Sequence, residues 1–312
     1  MNRVFVFPGQ GSQYVGMGKD LYDNFKIARD VFEEVDDAIE QNLSKIIFEG
    51  DVDLLTMTEN TQPALMATSI ATLRVLLSEN SKYIEDLCSF VAGHSLGEYT
   101  ALCAVGSLTL GDTARLLKIR GRAMQAACPQ GDGGMIACIG INLQELEAII
   151  SDTRVVGICQ IANDNSLEQV VVSGSIEAID YLEVVLKDLG KKAIKLKVSA
   201  PFHSDLMLPA ASKMQETLYA VQISPPSVPV ITNILAKSVT DPEVIKDCLV
   251  KQVVGRVRWR ETMDFVADQG IQEVVEIGPG KVLATLAKRS SHEFKVTNIG
   301  NLEEIKEFAI SK

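Results

Sequence analysis

Short apolar runs alternate with longer stretches of helical periodicity along most of this chain. The apolar runs, typical of buried strands, are residues 4–7, 90–93, 228–234, 273–277 and 295–299, and the helical stretches are residues 63–77, 96–104, 113–127 and 282–288. Strands that alternate with helices are typical of α/β domains, because parallel neighbours need a crossover connection. The pattern therefore predicts an α/β fold with a mostly parallel sheet.

The alternation changes after a polar, glycine-rich stretch at residues 129–134. Beyond it the sequence favours strand, helix, strand, strand, helix and strand, at residues 135–141, 143–151, 155–162, 169–172, 176–189 and 192–198. This β-α-β-β-α-β order is that of a ferredoxin-like unit. We therefore predict a ferredoxin-like subdomain of residues 131–198, inserted in an α/β-hydrolase-like catalytic domain of residues 1–130 and 199–312.

Composition excludes several classes of function. The net charge of −11 disfavours binding to nucleic acid or to an anionic membrane. The first apolar run soon meets Pro8 and Gly9, too early for a signal peptide or a membrane span, so a cytoplasmic protein is expected. The six cysteines lack C-x-x-C spacing and the three histidines lack ligand spacing, which predicts reduced thiols and no metal site.

The sharpest local motif is G-H-S-L-G at residues 93–97, between an apolar strand and an amphipathic helix. In such a nucleophile elbow the glycines allow a tight turn that exposes the serine hydroxyl at the helix amino terminus. Developing negative charge is favoured there by the helix dipole and the free N–H groups. Ser95 is therefore the candidate nucleophile.

A serine nucleophile needs a base, and histidine is the usual one. His94 shares the turn of Ser95, so its ring is expected to point away, and His292 lies in a polar segment that resembles a solvated loop. His203 directly follows the last strand of the predicted insert, which makes it the favoured base. No carboxylate can be selected to orient it, although Asp205 is close in sequence.

Two further segments fit an acyl-transfer site. Residues 7–13 read F-P-G-Q-G-S-Q after the first strand, where backbone N–H groups of a glycine-rich loop would suit an oxyanion hole; a plain turn is the alternative. Arg120 and Arg122 lie in a helix that is apolar on one face. They are either surface residues with buried stems, or one of them enters the site, where its guanidinium could hold a carboxylate.

Together these residues resemble the malonyl-CoA:acyl carrier protein transacylase family of bacterial type II fatty acid synthesis, over nearly the whole chain. The motifs that carry the resemblance are F-P-G-Q-G-S-Q at residues 7–13, Q-P-A at 62–64, G-H-S-L-G-E-Y at 93–99, Arg120-Gly121, His203 and E-I-G-P-G-K-V-L at 276–283. The resemblance implies a ping-pong transfer of malonyl from malonyl-CoA to the phosphopantetheine thiol of holo acyl carrier protein, through an ester on Ser95. It implies no cofactor, and a monomer.

The resemblance also implies the roles of individual residues. His203 would be the base, oriented by the backbone carbonyl of Gln252, and the N–H groups of Gln10 and Leu96 would form the oxyanion hole. Arg120 would pair with the malonyl carboxylate.

Three alternatives stay open at this point. A serine thioesterase or hydrolase would use Ser95 and His203 with water as the acceptor, and a non-catalytic scaffold would only bind carrier protein. A trans-acting polyketide acyltransferase would need the same site. Two basic clusters, residues 191–197 and 256–260, are candidates for docking an acidic carrier, with a solvated strand face as the competing interpretation.

Overall fold

The structure, a computed structural model, describes residues 2–129, 131–151 and 156–310. Its strands are β1 (Arg3–Phe7), β2 (Phe90–Gly93), β3 (Gly133–Ile139), β4 (Cys159–Ser166), β5 (Gln169–Ser175), β6 (Lys192–Lys195), β7 (Val230–Ile231), β8 (Ser238–Val239), β9 (Glu273–Ile277) and β10 (Lys295–Ile299). Its helices are α1 (Lys19–Asn24), α2 (Lys26–Ile39), α3 (Leu43–Glu49), α4 (Val52–Thr56), α5 (Thr58–Asn80), α6 (Leu96–Ala104), α7 (Leu110–Ala126), α8 (Leu143–Ile150), α9 (Ile176–Asp188), α10 (Leu208–Tyr219), α11 (Pro242–Gln252), α12 (Trp259–Asp268), α13 (Val282–Lys288) and α14 (Leu302–Ile310).

The larger sheet has the strand order β10-β9-β1-β2-β7-β8. Its neighbours pair in parallel, except that β8 runs antiparallel to β7. Side chains of β1 alternate between two cores, since Phe5 and Phe7 pack in one cluster and Val4 and Val6 in the other. A strand buried on both faces is typical of a parallel sheet covered by helices on each side.

Helices cover the two faces of this sheet unequally. The 23-residue α5 is buried almost all round, and α2 and α7 pack against it on one face. The other face carries α12 and α13, whose Trp259, Met263 and Leu283 pack onto Val4 and Val6. The carboxyl ends of β1 and β2 thus meet the loops of residues 8–11 and 94–95 at one edge of the sheet.

The second sheet is antiparallel and has the order β4-β5-β3-β6. With α8 and α9 on one face it forms its own apolar core, and its chain order is β-α-β-β-α-β, as in ferredoxin-like folds. One bridge joins it to the rest of the chain: Val257 donates to the Ala162 carbonyl (2.8 Å) and accepts from the Asp164 N–H (2.9 Å).

The predicted fold class is confirmed, whereas several elements differ in length and others, which are α1 to α4, α10 to α12, α14 and β8, were not predicted. The run at 228–234 yields only the two-residue β7, because the chain reverses there toward β8, with Thr232 donating to the Lys237 carbonyl and accepting from the Ala236 N–H. The strand predicted at 192–198 ends at Lys195. The start of the strand predicted at 155–162 lies outside the described residues, and β4 begins at Cys159. The division into two domains stays a prediction. Across the described ranges, no helix is long and apolar enough to cross a membrane.

Candidate active site

Ser95 sits in a strained turn between β2 and α6. Its backbone has φ 54° and ψ −110°, a region that non-glycine residues rarely adopt. A Cβ on Gly93 would lie 1.8 Å from the Gly97 carbonyl oxygen, and one on Gly97 would lie 2.3 Å from that of Phe7. The two glycines of the motif are therefore required by close backbone approach on both sides of the serine.

Asn233 holds this turn in place from the end of β7. Its side-chain oxygen accepts from the Ser95 N–H at 2.8 Å, and its amide nitrogen donates to the Gly93 carbonyl at 2.7 Å. Its own backbone N–H donates to Glu98 at 2.9 Å. The strain at Ser95 is thus offset by hydrogen bonds made on both sides of the turn.

His203 contacts Ser95 from the far side of the site. Its Nε2 lies 2.8 Å from the Ser95 Oγ, and its Nδ1 lies 2.8 Å from the carbonyl oxygen of Gln252 and 3.1 Å from that of Gly255. Two carbonyls accept from Nδ1, which therefore carries the proton and leaves Nε2 as an acceptor for the serine hydroxyl. Asp205, the carboxylate close in sequence, instead uses its N–H to donate to Gln160.

Burial sets the protonation state of this imidazole. His203 is 3% exposed, and desolvation lowers its pKa to about 3. The positive charge of Arg120 acts in the same direction, while the hydrogen bonds to the carbonyls of Gln252 and Gly255 oppose both. His203 is accordingly neutral near pH 7 and can accept a proton from Ser95.

Arg120 lies on α7 and is 1% exposed. Its Nη2 donates to the Ser95 Oγ at 3.1 Å and to the Gln252 Oε1 at 3.0 Å, and its Nη1 donates to the Gln62 Oε1 at 2.9 Å. Throughout the part of the chain that is described, no carboxylate forms an ion pair with it. The acceptors of its hydrogen bonds are thus neutral oxygens. Burial lowers the pKa of Arg120, and Glu98, which bonds Gln252 and not the guanidinium, acts in the opposite direction.

The loop after β1 closes the site. A Cβ on Gly9 would lie 2.7 Å from the His94 carbonyl oxygen, which shows how near this loop comes to the serine turn. The N–H groups of Gln10 and Leu96 donate to no acceptor among the described residues. Both residues line a cavity of about 280 Å³ together with Ser95, Arg120 and His203. Free N–H groups of this kind suit an oxyanion.

The other sequence candidates have different surroundings. His94 bonds Asn165 at 2.9 Å, and its ring lies 5.5 Å from that of Trp259. His292 lies 2.8 Å from Asp264. Across the described residues no group of three or more His, Cys, Asp or Glu side chains is placed to hold a metal ion.

Three polar residues that contact the site were missed as site residues by the sequence analysis. They are Gln62, Glu98 and Asn233, and each is at most 2% exposed. Gln62 and Glu98 lie within the motifs Q-P-A and G-H-S-L-G-E-Y, and Asn233 is a polar residue in the apolar run at 228–234. Spacing alone does not say what such a residue contacts, because each partner comes from a distant part of the chain.

Comparison with known proteins shows the family to which this chain is related. The family model described as acyl transferase domain matches residues 4–309. The malonyl CoA-acyl carrier protein transacylase of Bacillus subtilis (strain 168) is 41% identical over 304 residues, 97% of this chain and 94% of that protein. This chain belongs to the malonyl CoA-acyl carrier protein transacylase family. The family member of Escherichia coli (strain K12) is 38% identical over 287 residues, 92% of each chain.

Solved structures of malonyl transferases have the same fold. The acyl-carrier-protein-S-malonyltransferase of Bartonella henselae superposes with a TM-score of 0.96 at 50% identity and covers 100% of this chain and 99% of its own. A malonyl-transacylase in complex with a type II PKS acyl-carrier protein has a TM-score of 0.95 at 35% identity, with both chains covered in full. The resemblance inferred from the motifs is confirmed.

Proposed function

We propose that this protein transfers the malonyl group of malonyl-CoA to the phosphopantetheine thiol of holo acyl carrier protein, and thereby supplies malonyl carrier protein for fatty acid synthesis. One observation supports this above all: the buried Arg120, which forms no ion pair with any described carboxylate, has its Nη2 3.1 Å from the Ser95 Oγ. A malonyl group on Ser95 carries a carboxylate within reach of that guanidinium. An acetyl group carries none.

The first half of the reaction acylates the serine. The neutral Nε2 of His203 takes the proton of the Ser95 hydroxyl as Oγ attacks the thioester carbonyl. The N–H groups of Gln10 and Leu96 then stabilise the oxyanion of the tetrahedral intermediate. As the intermediate collapses, the carbon–sulfur bond breaks, His203 returns the proton to the leaving sulfur, and CoA departs as a thiol.

The second half reverses these steps with a different thiol. His203 takes the proton of the phosphopantetheine thiol, whose sulfur attacks the malonyl ester on Ser95. The carbon–oxygen bond to the serine breaks, and the proton returns to Oγ. Each half exchanges one thioester or ester for another, so we expect no cofactor.

Arg120 sets the preference for malonyl. Its Nη1 and Nη2 donate to Gln62, Gln252 and the serine, and a carboxylate is a stronger acceptor than any of these neutral oxygens. A substrate without a carboxylate leaves the guanidinium with neutral acceptors only, which is costly for a buried cation.

The setting of the reaction follows from the same substrates. We expect a cytoplasmic monomer that contacts malonyl-CoA and holo acyl carrier protein, with no nucleic acid or membrane as a partner. A polyketide acyltransferase acting in trans is the second candidate, because a similar structure is a complex with a type II PKS acyl-carrier protein. Rates of transfer to a fatty acid and a polyketide carrier protein, measured side by side, distinguish the two.

The test of the proposal is intact-protein mass spectrometry after brief exposure to malonyl-CoA, followed by addition of holo acyl carrier protein. We expect a malonyl adduct that passes to the carrier and that is absent from Ser95→Ala. Rapid release of free malonate without a thiol acceptor would instead indicate a hydrolase. The absence of both adduct and malonate would indicate a binding scaffold.

A further inference from the structure

Glu98 is a buried carboxylate that the proposed reaction does not use. It lies in the first turn of α6, three residues after Ser95, and is 0% exposed. Its Oε2 accepts from the Asn233 N–H at 2.9 Å and from the Gln252 Nε2 at 2.8 Å, while its Oε1 has no partner within the described residues. Burial raises its pKa to about 7. An apolar side chain of this size would avoid that cost, so the carboxylate calls for an explanation beyond packing.

The Gln252 side chain is the group that Glu98 controls most directly. The Nε2 of Gln252 faces three acceptors, which are Glu98 at 2.8 Å, the Ser95 carbonyl at 3.0 Å and the Asn233 Oδ1 at 3.3 Å. Its Oε1 accepts from Arg120 at 3.0 Å. An amide turned by 180° would set its oxygen against the Glu98 carboxylate and its NH₂ group against the guanidinium, and both contacts would be repulsive.

Glu98 is the strongest of the three acceptors on the nitrogen side. The other two are neutral amide oxygens, whereas Glu98 is a carboxyl group on the shortest of the three contacts. The Asn233 oxygen is also shared with the Ser95 N–H, and the Ser95 carbonyl with the Glu98 N–H. Without Glu98, the Gln252 amide would retain only neutral acceptors at longer distances.

Gln252 serves both halves of the site. Its backbone carbonyl accepts from His203 and its side-chain oxygen accepts from Arg120. On the other side, Glu98 holds Asn233, which holds the serine turn. The Glu98 Oε2 therefore bonds two residues of the site. One is Asn233, which holds the serine turn, and the other is Gln252, which contacts both His203 and Arg120.

We propose that Glu98 is a positioning residue, which fixes the direction of the Gln252 amide and thereby the place of Arg120 beside Ser95. The inference rests on the proposed function, because the guanidinium matters most for an acyl group that carries a carboxylate. It predicts that loss of the Glu98 acceptor weakens malonyl transfer more than acetyl transfer. A residue that only supported the core would affect both donors alike.

The experiment compares Glu98→Met, which keeps the length and removes the acceptor, with Glu98→Gln, whose amide oxygen can occupy the place of Oε2. The initial rate of Ser95 acylation is followed by quenched-flow mass spectrometry over a range of malonyl-CoA and acetyl-CoA concentrations. For Glu98→Met we expect the maximal malonyl rate to fall about 10- to 100-fold, the size of effect that an unpaired buried hydrogen-bonding group causes, and the acetyl rate to fall less. For Glu98→Gln we expect both rates within about threefold of the parent.

Thr100→Val is the matched control. Thr100 lies on the same helix, is 1% exposed and has a hydroxyl without a partner in the described chain, so its removal should leave both rates unchanged. If Glu98→Met does not fold, as judged by circular dichroism, Glu98→Asp replaces it. Its shortened carboxylate should lower the malonyl-to-acetyl preference in the same direction. An unchanged preference in the folded variant, or a loss in Glu98→Gln as large as in Glu98→Met, would overturn the proposal.

A double variant tests whether Glu98 acts through Arg120. In an Arg120→Ala background the additional change Glu98→Met should leave the malonyl-to-acetyl preference where Arg120→Ala alone puts it. The same further loss of preference in both backgrounds would contradict the inference.

A crystal structure of Glu98→Met, which needs no acyl group, separates this inference from the proposed function. We expect the Gln252 amide to have turned or moved and the Arg120 Nη2 to lie farther from the Ser95 Oγ than the 3.1 Å of the parent. If the parent accepts no malonyl group, the proposed function is wrong and the two structures still decide the inference. Unchanged positions of the Gln252 amide and of Arg120 in Glu98→Met would then overturn it.

Discussion

The guanidinium groups of this protein have two kinds of partners. The difference is seen between Arg120 and an arginine cluster, which consists of Arg256, Arg258 and Arg260. In the cluster each guanidinium has a carboxylate partner: Arg256 lies 3.3 Å from Glu147, Arg258 pairs with Glu261, and Arg260 lies 2.8 Å from Asp164. Arg120 has neutral partners only.

The comparison shows which arginine is available to pair with the carboxylate of a substrate. Three arginines within five residues look like a binding surface in sequence, yet the fold supplies their counter-ions. A single arginine inside a helix looks like an ordinary surface residue, yet the fold buries it with no ion pair among the described residues. Of these four arginines Arg120 is thus the one that the proposed malonyl carboxylate would pair with.

The largest expected effect is that of Arg120→Ala on malonyl transfer. Loss of one partner of a buried charged pair costs about 2–5 kcal/mol, so kcat/KM for malonyl-CoA should fall at least about 30-fold, and that for acetyl-CoA by much less. Steady-state transfer to holo carrier protein from each donor measures this. Equal losses for the two donors would remove Arg120 from the recognition of the carboxylate.

The unpaired charge of Arg120 should also appear in the pH dependence of acylation. Burial first, and Arg120 second, hold the pKa of His203 down to about 3, so the imidazole stays a neutral base as pH falls. Between pH 7.5 and 5.5 an ordinary histidine base with a pKa of about 6.5 would lose about tenfold in rate, and we expect far less here. Single-turnover acylation of Ser95 at each pH is the measurement. In Arg120→Ala the acidic limb should move to higher pH, and a limb that stays in place would show that the two groups do not interact.

Removing an arginine from the cluster should lower the stability of the fold and leave the preference for malonyl over acetyl unchanged. Asp164 is fully buried, and Arg260→Ala leaves it without its cation. Since Arg260 is itself about a quarter exposed, we expect a loss of about 2 kcal/mol in the free energy of unfolding, less than for a fully buried pair. Denaturant unfolding checks the loss. A malonyl-to-acetyl preference altered as strongly as in Arg120→Ala would contradict the distinction between the two kinds of arginine.

The smallest effect is expected at Arg256, the control for Arg260. Its contacts with Glu147 and Glu261 are 3.3 and 3.4 Å long and partly exposed to solvent. Arg256→Ala should therefore change the unfolding free energy by less than about 1 kcal/mol. A loss equal to that of Arg260→Ala would mean that the burial of the carboxylate does not decide the cost.

The fold was predictable from the sequence because its signals are local. The runs at 90–93 and 273–277 coincide with β2 and β9, and the β-α-β-β-α-β order of the second sheet was visible in the alternation alone. The helices α1 to α4 were not predicted. Of these, α1, α3 and α4 are five to seven residues long, and such short helices are stabilised largely by packing against distant residues, which periodicity does not record. The 14-residue α2 buries Ala28, Val31, Phe32 and Val35 at helical spacing, so its signal was present in the sequence and was missed.

The residues of the site also differ in whether the sequence around them carries a signal. Ser95 has a local signal in its two glycines, and His203 followed because few histidines were available. The structure brings both together with Gln10, Leu96, Arg120 and Gln252, which the family resemblance had named. The side-chain contacts of Gln252 with Glu98 and Arg120 could not be predicted, because these residues are 154 and 132 positions away in the chain.

The proposed function depends on Arg120 receiving the carboxylate of a malonyl group carried by Ser95. A crystal structure of the protein trapped with malonyl on Ser95 tests this. We expect both carboxylate oxygens within hydrogen-bonding distance of Nη1 and Nη2 of Arg120, and the ester carbonyl oxygen facing the N–H groups of Gln10 and Leu96. A carboxylate that points to solvent or to Lys197 at the mouth of the cavity, with Arg120 still on Gln62 and Gln252, would contradict it.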